Sequence, residues 1–360
     1  MTFEEARAMY PVLERFAYLN AGTAGPVASV TAEAVAAERG RDLEEGRSGL
    51  PFIERMLAAR AAVREAIADE IGVLAANVAL TRATTDGCNI VLNGLDLGPD
   101  DEVVTTDAEH FGLLGALRVK GVRVRVARLA GRPAADALDA ILAEVGPRTR
   151  LIALSHVLWT TGHVVPVHDL KAATGLPLAV DGAQSVGAIP VEVGELDYYT
   201  VSCQKWLCCP DSSGGLYIRD PDSLRLTFPS YFSQQAYEPD GTFTPRDGAA
   251  RFDNGWLAVG LLAGVQAALA AHPSWRFERG RAMAERCREM LAEHVEVVTE
   301  PDQGTLVAFR TPEDPADVVK RAYEQGVVIR DLPATGLLRA SCGYWTSEED
   351  LERLVGAVGG

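Results

Sequence analysis

From residue 78 onward, short apolar runs alternate with longer stretches in which apolar positions recur at helical spacing. The runs that read as strands are Val78-Ala79-Leu80-Thr81, Glu102-Val103-Val104-Thr105-Thr106, Arg123-Val124-Arg125-Val126-Ala127, Leu151-Ile152-Ala153-Leu154-Ser155, Leu178-Ala179-Val180-Asp181 and Tyr198-Tyr199-Thr200-Val201-Ser202. Several are apolar almost throughout, as strands covered on both faces must be. Before them, residues 27–70 are rich in Ala, Glu and Arg with helical apolar spacing. The alternation predicts a large α/β domain with a doubly wound, mainly parallel sheet and a site at the carboxyl ends of its strands.

From about residue 257 the pattern changes to a long Ala-rich helical stretch ending at His294. Segments near 295–300, 304–310, 326–330 and 337–342 then read as strands with helices between them, a small α+β C-terminal domain. The expected division is 1–255 and 256–360, with the N-terminal segment packing against the small domain. Pro229–Gly248 and Gly336-Leu337 are the loops expected to move.

Composition narrows the partners. An apolar content of 48% with 23% charged residues is that of a globular protein, and 360 residues suffice for two cores. A net charge of −16 argues against nucleic acid, which needs clustered Lys and Arg. No apolar run reaches the roughly 18–20 residues that span a bilayer. The charged start Met1-Thr2-Phe3-Glu4-Glu5 has no signal-peptide pattern. Six scattered cysteines form neither a disulfide framework nor a zinc spacing, so the expectation is a cytoplasmic protein without a metal site.

The candidate chemistry lies at the predicted strand ends. Val180-Asp181-Gly182-Ala183-Gln184 puts an acid at the end of one strand, and Ser202-Cys203-Gln204-Lys205-Trp206 puts a lysine just after the next. This is the pair that pyridoxal phosphate requires: an amine for its aldehyde, and a carboxylate for its pyridinium nitrogen. Ala83-Thr84-Thr85-Asp86-Gly87 stands between a strand and a helix, where free amides and hydroxyls cradle a phosphate.

These motifs, in this order, resemble the class V aminotransferase family of fold-type I pyridoxal phosphate enzymes. The likeness runs from Tyr18-Leu19-Asn20-Ala21-Gly22-Thr23-Ala24-Gly25-Pro26 to Arg339-Ala340-Ser341. Within the family, Gln204-Lys205-Trp206-Leu207, Arg330-Asp331-Leu332-Pro333 and Arg339-Ala340-Ser341-Cys342-Gly343-Tyr344-Trp345 are similar to ergothioneine- and lincosamide-pathway C–S lyases. The resemblance implies a homodimer acting on a small amino acid.

It also implies roles for individual residues. Lys205 is the Schiff-base lysine and Asp181 the pyridinium partner, while Gln184 bonds the ring hydroxyl. Thr84, Thr85 and Ser202 contact the phosphate, and Gln204 stands where many relatives have histidine. His110 stacks on the cofactor and relays protons, with His156 a second histidine near it. Arg339 binds the substrate α-carboxylate, with Asn20, Ala21 and Gly22 completing that pocket.

Two departures bear on the reaction. The interval Arg330–Arg339 carries no cysteine, which disfavours sulfur transfer through a persulfide; Cys342, beyond it, reads as core packing. Cys209-Pro210-Asp211-Ser212-Ser213-Gly214 replaces the family's Gly-Pro-(Asp/Glu)-Gly-Thr-Gly and implies an altered pocket. Likewise, Arg251-Phe252-Asp253-Asn254-Gly255-Trp256 has Trp256 where relatives have a hydroxyl that reaches the neighbouring subunit's phosphate. The expected reaction is β-elimination from an S-substituted cysteine or its sulfoxide, giving pyruvate, ammonia and a thiol or sulfenate. Decarboxylation-coupled oxidative deamination is the alternative, then aminotransfer or epimerisation.

Overall fold

Seven strands form one sheet in the order Val78–Thr81, Gly214–Ile218, Tyr198–Ser202, Leu178–Asp181, Thr149–Ser155, Glu102–Thr106, Arg123–Ala127. The structure is a computed structural model and describes residues 1–359. The strands from Tyr198–Ser202 to Arg123–Ala127 run parallel, while Gly214–Ile218 is antiparallel to both its neighbours. The interior strands are buried along their whole length apart from Arg150, whereas Arg123–Ala127 is exposed over its first three residues, as an edge should be.

Gly214–Ile218 is the strand that the apolar pattern missed. It opens on two glycines after a Pro- and Ser-rich turn, which reads locally as loop. The packing needs the first glycine: a Cβ on Gly214 would lie 2.5 Å from the carbonyl oxygen of Val201. In the turn before it, Ser212 adopts φ 62°, a left-handed conformation that glycine takes at lower cost. Ser212 occupies a glycine position of the family pattern, so the turn persists without the glycine.

Both long helical stretches divide. Residues 27–70 form Ser29–Glu45 and Gly49–Glu70, broken where Gly46 and Gly49 take φ 79° and 80°. The stretch before His294 forms Val259–Ala270 and Arg276–Ala292, interrupted around Pro273, which has no N–H to continue a helix. Pro229–Gly248 contains a helical turn and the hairpin Gln234–Tyr237/Phe243–Pro245.

The small sheet is antiparallel, in the order Glu296–Val297, Leu306–Arg310, Leu337–Ser341, Arg330–Leu332. It has its own core, including Val307, Phe309, Leu338 and Leu351, separate from that around Ile152, Val180 and Val201. The N-terminal segment belongs to both. Ala17–Tyr18 pairs in parallel with Val327–Val328, and then the Gly25 N–H donates to the Gln204 carbonyl at 2.8 Å. Among the described residues no helix is long and apolar enough to cross a membrane.

Candidate active site

Parallel strands bring their carboxyl ends to one edge, so Thr81, Thr106, Ser155, Asp181 and Ser202 meet there from distant parts of the chain. Asp181 is buried, and its Oδ1 accepts from the Ala183 N–H at 2.9 Å and the Thr200 hydroxyl at 3.3 Å. Both donors fall on Oδ1, and among the described residues none falls on Oδ2, which could accept from a proton-bearing nitrogen.

Lys205 sits half-buried in the turn after Tyr198–Ser202. Loss of hydration pushes its ammonium down to about 8; Asp181 opposes that shift, while Arg339 and Arg330 add to it. The turn is packed from above by the N-terminal segment, where a Cβ on Gly25 would fall 2.1 Å from the Lys205 carbonyl oxygen.

The helix Thr84–Gly94 points its first turn at this edge. Ala83 at its N-cap has no side chain to satisfy the amides, and no side chain among the described residues caps the turn, which opens on Thr84 and Thr85. Close helix–sheet contact brings it there: a Cβ on Gly87 would meet Thr200 Cγ2 at 2.6 Å. Ser202 instead donates to Gln204 Oε1 at 2.9 Å, which explains a glutamine beside the lysine: its carbonyl orients that hydroxyl.

His110 caps the helix Phe111–Lys120, its Nδ1 accepting the Gly112 N–H at 3.2 Å. That bond assigns the proton of the neutral ring to Nε2. Burial first, then Lys205, Arg330 and Arg339, lower its basicity, against Asp181. Its ring meets Trp159 edge-on at 5.3 Å.

Arg339 is fully buried in the last small-domain strand without a carboxylate partner. Nη1 donates to the Trp159 carbonyl at 2.8 Å, while Nε and Nη2 have no acceptor at all. Burial, reinforced by Arg330, pushes it down to about 9. Gly22 leaves the space beside it: a Cβ there would lie 2.6 Å from Nη2. Nε and Nη2 lie on one side of the guanidinium, the pair of donors that can receive a carboxylate through two hydrogen bonds.

One sequence expectation needs correction, and the partners of two other residues narrow theirs. His156 does not face Asp181; its Nδ1 is tied to the Tyr199 hydroxyl at 2.8 Å. Tyr199 and Thr200 alternate across the sheet, so the Tyr199 ring and His156 lie on the face away from Asp181. Burial holds His156 down to about 4, as a neutral core group. Asn20 Oδ1 accepts the Thr23 hydroxyl at 2.8 Å, and Gly22 is the residue of 20–22 that borders Arg339. Gln184 is held at both ends, donating to the Gly22 carbonyl at 2.9 Å and accepting from Trp206 Nε1 at 3.0 Å, which leaves one amide hydrogen for a ligand.

Sequence reading missed Arg330 as a site residue. It stands directly across from Arg339 in the antiparallel pair, donates to Thr23 Oγ1 at 3.2 Å, and lies 6.0 Å from the Trp159 ring centre. Cys342 packs in the small-domain core, against Cys287. The residues fit pyridoxal phosphate: a depressed lysine, a carboxylate with one free oxygen, an uncapped helix start and a vacant guanidinium converge at one edge.

Comparisons with known proteins agree with that fit. The model of the family described as Aminotransferase class-V matches residues 18–354. Isopenicillin N epimerase of Streptomyces clavuligerus is 29% identical, over 99% of this chain and 97% of its own. The cystine C–S lyase C-DES, in complex with cysteine persulfide, is 30% identical with TM-score 0.90, covering 97% of this chain and 99% of that one. A C-DES lysine-to-alanine mutant, with glycine covalently linked to its pyridoxal phosphate cofactor, gives TM-score 0.92 at 29% identity, covering 98% of each chain.

Proposed function

The chain belongs to the class V aminotransferase family, and on that premise we propose that it is a C–S lyase acting by β-elimination on an S-substituted cysteine. Its cofactor is pyridoxal 5′-phosphate, which when bound supplies an aldehyde for amines and an electron sink for charge at the substrate α-carbon. The observation that carries the reading is the pair of arginines facing one lysine, without a counter-ion on either arginine among the described residues.

Arg339 holds the α-carboxylate and so fixes which α-bond faces Lys205. Lys205, with its basicity lowered, exchanges the α-proton at neutral pH. Asp181 would keep a proton on the ring nitrogen through Oδ2, and Thr84 and Thr85 would receive the phosphate at the helix start. His110 carries its proton on Nε2, the atom left to hydrogen-bond a departing sulfur.

Arg330 extends the pocket. With Thr23 it forms a second cationic point, which favours a substrate whose sulfur substituent itself bears an anion, such as cystine. Persulfide relay is not supported: the hairpin between Arg330–Leu332 and Leu337–Ser341 closes through residues 333–336, which include no cysteine.

A product assay on the loaded protein tests this. Pyruvate and a sulfur product should appear from cystine, with KM raised for S-methylcysteine and, in Arg330→Ala, for cystine alone, by about 10-fold. Substrate epimerised without pyruvate would support the second reading, to which the 29% identity with the epimerase lends weight. Carbon dioxide with oxygen consumption would instead mark decarboxylating deamination.

A homodimer is the assembly we propose. Phe228, Tyr231, Tyr237 and Trp256 are 50–67% exposed along one stretch of chain, an apolar surface that suits a second copy. Sedimentation at twice the 38.5 kDa chain mass is expected, and a monomer at micromolar concentration overturns it.

A further inference from the structure

We infer that Glu109 is a positioning residue of this site: its buried carboxyl clamps the ends of strands Glu102–Thr106 and Thr149–Ser155 together and so sets His110. The backbone pairing of these two strands ends at Val104–Ile152, short of the edge where the site lies. Beyond that point Glu109 takes over. Oε2 accepts both the backbone N–H of Ser155 at 2.9 Å and its hydroxyl at 2.5 Å, while Oε1 accepts the Thr106 hydroxyl at 2.7 Å. Ser155 stands in register with Asp181, and His110 follows Glu109 directly. One side chain thus joins the segment that leads from Glu102–Thr106 to His110 with the strand beside the aspartate.

A carboxyl is an expensive choice for that task. Glu109 is 5% exposed, and no ion pair reaches it among the described residues. The groups facing it are Asp181 at the end of the next strand and Cys88 on the helix Thr84–Gly94, neither of them a cation; His110 is its own neighbour in the chain. Burial raises its carboxyl to about 7 despite the three donors, and Asp181 adds to the rise. The unfolded chain releases this proton near 4.5, so between there and about 7 the folded state holds the extra proton and stability falls as pH rises.

The test compares Glu109→Gln, which keeps an acceptor oxygen and the shape, with Glu109→Ala, which removes the clamp. The inference rests on the reading of the site only for its catalytic consequence, so two measurements use cofactor-free protein. By NMR, the His110 titration should move up toward the ordinary histidine value in Glu109→Ala and stay depressed in Glu109→Gln. Thermal unfolding from pH 5 to 8 should show the wild type losing stability relative to Glu109→Gln as pH rises. In the loaded enzyme, Glu109→Ala should lose kcat about 100-fold, as for a misplaced catalytic group, with KM nearly unchanged because Arg339 is untouched. A His110 titration identical in wild type and Glu109→Ala overturns the inference, as does a full kcat in that variant. Loss of cofactor binding in the wild type would instead overturn the cofactor assignment, with the two cofactor-free measurements still deciding the role of Glu109.

Discussion

Replacing Lys205 with alanine is expected to abolish the visible absorbance band of the bound cofactor and to lower turnover by about 10²–10⁴-fold through loss of the base alone. Both effects have one origin. Lys205 is the amine that Asp181 acts on at the edge where the strand ends meet, and its backbone lies in a turn packed closely under Gly25. Its lowered basicity adds a second readout. Uptake of pyridoxal phosphate by the cofactor-free protein needs the neutral amine, so its rate should rise with pH and level off near 8, rather than above 10 where ordinary lysines do. The fold should not suffer: removing one of three clustered cations relieves repulsion, and Tm should stay within about 2 °C. A variant that kept the band would sink the assignment of this lysine.

Arg339→Met is expected to act in opposite directions on binding and stability. Substrate affinity should fall by about 2–5 kcal/mol, since a fork with two free donors is lost and the Gly22 space has nothing else to offer a carboxylate. The cofactor-free protein, however, should become more stable by about 1–4 kcal/mol, because a fully buried guanidinium with no counter-ion gives way to an apolar chain of similar length. The two measurements are substrate KM and Tm without ligand. A fall in Tm together with an unchanged KM would make Arg339 a structural residue, held for the sake of the Trp159 carbonyl.

The local sequence specified most elements because each is a short-range statement. Leu178–Asp181 is apolar up to its last residue, and the acid there cannot remain in a strand core, so the strand and its functional end are read together. The same holds for Ser202 ahead of Lys205 and for the uncapped threonines after Val78–Thr81. Gly214–Ile218 escaped because its strand character comes from its neighbours on either side, where glycine is needed for close approach and not for propensity.

What sequence determined by itself, then, is the parallel sheet, the place of Asp181 and Lys205 at neighbouring strand ends, and the family to which the chain belongs. Tertiary structure alone decided which way His156 faces, that Arg330 stands beside Arg339, and that Glu109 joins two strand ends. Periodicity fixes which residues share a face of one element. It carries no information about which strand comes next to which, and that choice is what sets two arginines side by side or turns a histidine toward a tyrosine.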